Sequence, residues 1–225
     1  MTAGLNEREL GALPLFPLPN LVLFPGTTLA LHVFEPRYRE MMADCLSRGP
    51  MAMAVAQLKP GWQSDYHGRP AVYEVAGAGR IISHLKQRDG TFDIQLEGLA
   101  RVKLSELPAD HSYRRAASKV LAESMPEAGL PPLEISTLLT LASQIVEIVQ
   151  RENPLARIQL LASLDDEPAR MLDKLSDQFV ADPETRQRLL ETLDIGTRLQ
   201  ELKRAIAEMH LSLVSATPDD ERILH

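Results

Sequence analysis

Hydrophobic positions change their period once along this chain. Up to about residue 121 they alternate with polar positions or form short runs. From residue 133 they recur every three or four residues. The first pattern predicts strands and the second predicts helices. Over 28–34, Leu29, Leu31 and Val33 share one face and Thr28, Ala30 and His32 the other, as in a strand with one buried side. Phe92, Ile94 and Leu96 alternate in the same way after Asp89-Gly90, a strong hairpin-turn pair. Further strands are expected at 21–24, 51–58, 72–75, 80–86, 100–104 and 113–121. Residues 13–19 carry Pro14, Pro17 and Pro19. Because proline has no N–H to give a ladder, this stretch is expected at a sheet edge or partly outside the sheet. One helix interrupts the series. Pro36 suits a first helical position. Tyr38, Met41, Met42, Cys45 and Leu46 follow at helical spacing, and Gly49-Pro50 stops them. Residues 1–12 read as a loose lead-in. About seven or eight short strands with one inserted helix predict a closed or half-closed antiparallel barrel.

Residues 122–132, rich in proline and glycine, mark a linker. After it, Leu138, Leu141, Ile145 and Val149 line one face of a helix over 133–151. Asn153-Pro154, Glu167-Pro168 and Asp182-Pro183 each open another helix. In the last helix, Ile195, Leu199, Leu202, Ile206, Met209 and Leu213 form a heptad seam. Such a seam serves packing inside a bundle or a homodimer through the C-terminal helix. The expected organisation is α+β: a β-barrel domain over 1–122, a linker over 123–132, an all-α helical bundle over 133–215 and a flexible tail over 216–225.

Composition narrows the partners. The formal net charge of −7 works against phosphate backbones, so no nucleic-acid partner is expected. The single cysteine excludes an intramolecular disulfide and suits a reducing compartment. The N-terminus has no apolar signal-peptide core, and no apolar run approaches the roughly 20 residues that span a bilayer. The chain reads as cytoplasmic, with no membrane partner.

Motifs for chemistry are missing. No Gly-Lys pair exists for a phosphate-binding loop, and neither G-x-S-x-G nor H-E-x-x-H occurs. The six histidines show no metal-ligand spacing. Cys45 sits on the apolar stripe of its helix, as a small hydrophobe would. No catalytic residue, cofactor or metal is expected. Glu35 reads as an acceptor for the free N–H groups of the helix start and Arg37 as a partner for a carboxylate or an aromatic face, with contact to a binding partner as the alternative for both. Arg114, Arg115 and Lys119 read as a solvated strand face. The candidates for partner contact are Trp62, Tyr66 and His67, because aromatic residues on loops are enriched at binding surfaces; here they sit in the turn-rich loop 59–70.

Three blocks then carry a resemblance: Leu13 to Leu18 (LPLFPL), Phe24-Pro25-Gly26 and Phe34-Glu35-Pro36-Arg37-Tyr38. In content and spacing they closely resemble the opening of the Lon protease N-terminal domain family, including bacterial proteins built from that module alone. Residues 72–104 are similar to the family's second block, with Val102 in place of the usual aromatic. Residues 186–206 are like its helical tail. Ala30 stands where the family commonly has proline. The resemblance covers roughly residues 12–121 most strongly. It implies a PUA-like pseudo-barrel followed by a helical bundle, in a stand-alone member without ATPase or peptidase domains. It also implies a non-catalytic, substrate-recognising role with a polypeptide or protein partner. A nucleic-acid-binding PUA-like protein and an unrecognised hydrolase are the alternatives.

Overall fold

The computed structural model describes residues 4–47, 49–65, 68–149, 155–165 and 167–216. Six strands form one mixed sheet: β1 (Leu13–Leu18), β2 (Thr28–Val33), β3 (Ala52–Gln57), β4 (Val75–Lys86), β5 (Phe92–Glu106) and β6 (Arg114–Val120). Seven helices accompany it among the described residues: α1 (Glu7–Gly11), α2 (Pro36–Ser47), α3 (Pro132–Val149), α4 (Ala156–Ser163), α5 (Pro168–Phe179), α6 (Pro183–Glu191) and α7 (Ile195–Ala216). The fold class is α+β. The chain divides into two compact units, Met1–Ala122 with Asp182–Glu191, and Glu123–Ala181 with Thr192–His225.

In the first unit the strand order is β2-β5-β4-β3-β1-β6, and β6 also pairs with β5. The ladders therefore return on themselves through the length of β5. Its first half pairs with β2 and its last residues, 102–106, pair with β6. Register shifts at Ala78/Gly79 and Ile81/Ser83 bend β4 along this course. The expected strands at 80–86 and 91–96 flank the Asp89-Gly90 turn as anticipated. However, β5 runs unbroken through the segments read as two strands.

Four expectations change. The sheet is not wholly antiparallel, because β1 and β3 run parallel. Nor does β1 lie at an edge, since it sits between β3 and β6. Its prolines fit because the two ladders are staggered. Pro14 faces only β6 and Pro17 only β3, and a ladder needs donors only from alternate residues. Third, residues 1–12 include α1, closed by a capping box in which Asn6 and Glu9 each accept the other's N–H. Finally, residues 21–24 form no strand, although Val22, Leu23 and Phe24 are buried.

That segment instead lies against the backbone of β4 and β5. A methyl group on Gly77 would sit 1.9 Å from the Leu23 carbonyl oxygen, and one on Gly98 would sit 2.0 Å from that of Phe24. Only glycine permits either approach. Pro25-Gly26 turns the chain with Gly26 at φ 75°, and the Gly26 N–H donates to the Gly98 carbonyl (2.8 Å). From the other side α6 closes over it. Arg186 donates to the Val22 carbonyl (3.3 Å) and stacks over the Phe24 ring (5.3 Å). Gln187 donates to the Val75 carbonyl (2.9 Å), and the buried Arg101 donates to the Leu190 carbonyl (2.9 Å). Helix α6 thus belongs to the first unit, although its sequence lies within 133–215.

Strand β3 shows why its sequence gave a weak signal. All six residues are buried. Met53 and Val55 join a large-residue core with Phe16, Met41 and Met42, against α2. Ala52, Ala54 and Ala56 join a second core in which Ala76, Ala78 and Ala116 meet Leu5, Leu13, Leu15 and Leu104. A strand buried on both faces has no polar alternation to read.

In the second unit, α3 and α7 pack on one another, and Leu138, Ala142 and Ile145 of the first and Ile195, Leu199, Leu202 and Ile206 of the second are buried. By length and composition α3 is also apolar enough to cross a membrane. Leu138, Ala142, Ile145 and Val146 form its buried row, and Glu134 in its first turn pairs with Lys203 of α7. Asp194 caps α7 by accepting the Thr197 N–H (2.7 Å). The wholly buried Arg198 pairs with the equally buried Asp173 (3.3 Å) and with Glu123 (2.5 Å). Asn153-Pro154 and residues 217–225 lie outside the described residues.

Candidate functional site

Three pieces of the first unit meet beside the loop that carries the aromatic candidates. Helix α2 contributes its first turn, β6 contributes its entry, and the loop 59–70 contributes its return. They enclose a cleft of about 110 Å³, lined by Arg37, Tyr38, Gly68, Arg69, His111, Tyr113 and Arg114 among others. A smaller recess beside it adds Pro17, Leu58 and Pro70. Small-molecule sites run to roughly 300–1,000 Å³, so this space is sized for a side chain.

The sequence builds the cleft in layers. Pro36 starts α2, and the Glu35 carbonyl accepts from Tyr38 and Arg39, so Arg37 and Tyr38 are held on the first turn. The Glu35 carboxylate accepts from Arg37 (3.0 Å), whose guanidinium lies 4.8 Å from the Tyr38 ring centre. Tyr38 in turn packs on Phe16, their ring centres 4.5 Å apart. Arg37 thus finds both partners that a planar cation can use, a carboxylate and an aromatic face. Across the cleft, Arg114 is buried, not solvated as its strand suggested. It pairs with Glu106 and donates to the Pro70 carbonyl (2.7 Å). That bond ties the end of the loop 59–70 to β6. Arg69 adds a longer contact to Glu106 (3.6 Å).

The titratable groups of this region are committed to partners. Tyr113 donates to Asp44 (2.9 Å). Burial, and then that carboxylate, hold its hydroxyl well above the usual tyrosine range. The Asp110 carboxyl lies below its usual range because of its hydrogen bond to His111 (2.9 Å), assisted by Arg115. Ser112 donates to Glu40 (2.7 Å) rather than to His111. Cys45 is buried in the α2 core. Burial, reinforced by Asp44, pushes its thiol up to about 12, far from a usable thiolate. His32 and Glu35, three apart in sequence, are engaged by Asp93 (2.7 Å) and Arg37. Among the described residues no three His, Cys, Asp or Glu side chains gather as a metal site would require.

Of the predicted contact residues, Trp62 opens a one-turn 3₁₀ helix, Trp62–Asp65, and is half-buried. It is not among the cleft-lining residues. Tyr66 and His67 lie outside the described residues. The loop reaches the cleft through Gly68, Arg69 and Pro70 instead. Sequence reasoning anticipated a carboxylate or aromatic partner for Arg37 and missed the contributions of His111 and Arg114. The F-E-P-R-Y block carried the signal for the first. Nothing local pointed to the other two, which depend on contacts across the fold.

The family model described as the ATP-dependent protease La (LON) substrate-binding domain matches residues 12–208. Among curated proteins, the chain is 26% identical to Lon protease from Anaeromyxobacter dehalogenans and 27% identical to that from Xanthomonas oryzae pv. oryzae, over 87% of its own length in each case. It spans 23% of the length of each of those proteases. Among solved structures, it resembles a Lon N-terminal domain protein from Xanthomonas campestris (TM-score 0.59, 24% identity, 92% of this chain and 99% of that one). It also resembles the N-terminal domain of Mycobacterium avium complex Lon protease (TM-score 0.62, 14% identity, 88% and 98%). The fold is shared with both, and the match over residues 12–208 shows that the chain belongs to the Lon substrate-binding domain family.

Proposed function

We propose that this protein is a non-catalytic module that recognises polypeptides. The family match over residues 12–208 carries this reading. The committed state of the site supports it. The nucleophile candidate Cys45 is held protonated, and His111 and Ser112 bond to different carboxylates. The cleft accommodates one side chain of a bound segment, and Trp62, Tyr66 and His67 are the proposed contact residues of the loop 59–70.

The test uses a chain that cannot refold. Reduced, carboxamidomethylated lysozyme carrying a fluorophore is titrated with the protein, and its anisotropy is followed. Saturable binding is expected, weakened several-fold by Trp62→Ala while the variant's circular dichroism is unchanged. No rise in anisotropy with the wild-type chain contradicts the function. Equal binding by Trp62→Ala contradicts the role of the loop.

A further inference from the structure

Among the described strands, β2 forms an edge of the sheet. β5, β4, β3, β1 and β6 follow one another in a ring of ladders, whereas β2 pairs with β5 alone among the described strands. One bond sets the phase of that ladder: the Gly98 N–H donates to the Thr27 carbonyl (2.9 Å). Antiparallel partners alternate between bonded and non-bonded pairs. Leu29, Leu31 and Val33 therefore bond inward to β5. The main-chain N–H and C=O groups of Thr28, Ala30 and His32 point away from the sheet. The side chains of these three residues are exposed, while Leu29 and Leu31 pack on the core. Sheet edges are ordinarily guarded by proline, lysine, a bulge or a covering element. The sequence of β2, TLALHV, holds no proline and no lysine, and its ladder runs without a register shift.

We propose that β2 receives an extended polypeptide segment as an added strand, resting on the polypeptide-recognition reading above. Main-chain bonding accepts many sequences, which suits the capture of an unfolded chain. Phe34, 61% exposed just beyond β2, offers an apolar contact at the end of the strand. Charge selects the occupant. Asp93 and Glu97 of β5 lie opposite His32 and Thr28, on the outer face of the sheet. An added strand would run two strand spacings from them, roughly 10 Å, within reach of a lysine or arginine side chain. Asp93 is shared with His32 (2.7 Å) and Gln87 (2.5 Å), and Arg80, opposite Glu97, is held by Glu9 (3.2 Å) and the Gly4 carbonyl (2.6 Å). A neutral or cationic segment is favoured. A second copy of this chain, also carrying −7, is disfavoured.

The experiment uses the full chain and three short peptides of β-forming residues: one bearing lysines, its alternately N-methylated counterpart, and one bearing glutamates. The lysine peptide is expected to slow amide exchange at Thr28, Ala30 and His32. N-methylation should weaken binding by about tenfold or more, through lost main-chain bonds, and glutamates should weaken it too. Ala30→Pro, which removes an outward N–H and no inward one, should reproduce the loss with an unchanged thermal midpoint. The N-methylated peptide keeps the test independent of how that variant folds. Equal affinity for it, or exchange protection elsewhere, overturns the edge site and leaves polypeptide recognition standing. Failure of every peptide and of unfolded lysozyme to bind overturns both. A dimer in sedimentation, with residues 28–32 protected without peptide, overturns the proposal in favour of a second copy.

Discussion

Gly77 and Gly98 do more for this fold than their size implies. Each leaves room for a carbonyl of the segment 21–24 where any Cβ would collide with backbone. Gly98→Ala is expected to destabilise the protein by about 3 kcal/mol, the upper range for overpacking, because backbone cannot rotate aside. Denaturant unfolding checks this through a lower midpoint at an unchanged slope. What approaches Gly77 lies more than fifty residues earlier in the chain, so no local pattern marks it. Helix starts were better marked. Asp182 accepts the Thr185 N–H (2.8 Å) and Asp194 that of Thr197 (2.7 Å), and these bonds, with those from the threonine hydroxyls, depress both carboxyls below their ordinary 3.8. A depressed native pKa means that the unfolded state binds more protons in the window below 3.8, so stability rises with pH there. It is fully present above that value and is lost as the pH falls through the native one. Asp182→Asn with Asp194→Asn retains capping oxygens that do not titrate. Acid unfolding followed by circular dichroism should then show a shallower decline below about pH 4.

Elements were legible where their signals are local and obscure where they depend on distant partners. Pro36 and Gly49 bracket α2, and Asp89-Gly90 turns β4 into β5, because a few neighbouring residues set those conformations. The place of β1 between β3 and β6 was hidden. Its prolines argue for an edge, and only the stagger of the two ladders relieves them. Helix α6 reads in sequence as one more bundle helix, yet Arg186, Gln187 and the Leu190 carbonyl bind the sheet unit. The candidate site divides in the same way. Arg37 meets Glu35 two residues away, whereas Arg114 is defined by Glu106 and Pro70, and Trp62 stands apart from the cleft. In the second unit, Arg198→Leu should destabilise by about 3–5 kcal/mol, since it strands Asp173 in the core without its cation. Adding Asp173→Leu should recover much of that loss, and thermal melts of the single and double variants measure the coupling.

The whole molecule is a sheet unit and a helical unit in a chain of the Lon substrate-binding domain family. Among the described residues, His111, Ser112 and Arg114 are held in pairs with carboxylates, and β2 lies at an end of the strand order. On the function proposed above, the protein holds a polypeptide at that edge. It should discriminate unfolded from folded chains, because a native domain seldom offers an extended strand with free main-chain groups. Calorimetric titration of the protein with native lysozyme and with the same lysozyme reduced and carboxamidomethylated is the most direct measurement. Heat of binding to the unfolded form alone is the predicted result. No heat with either form, or equal affinity for both, would contradict the account.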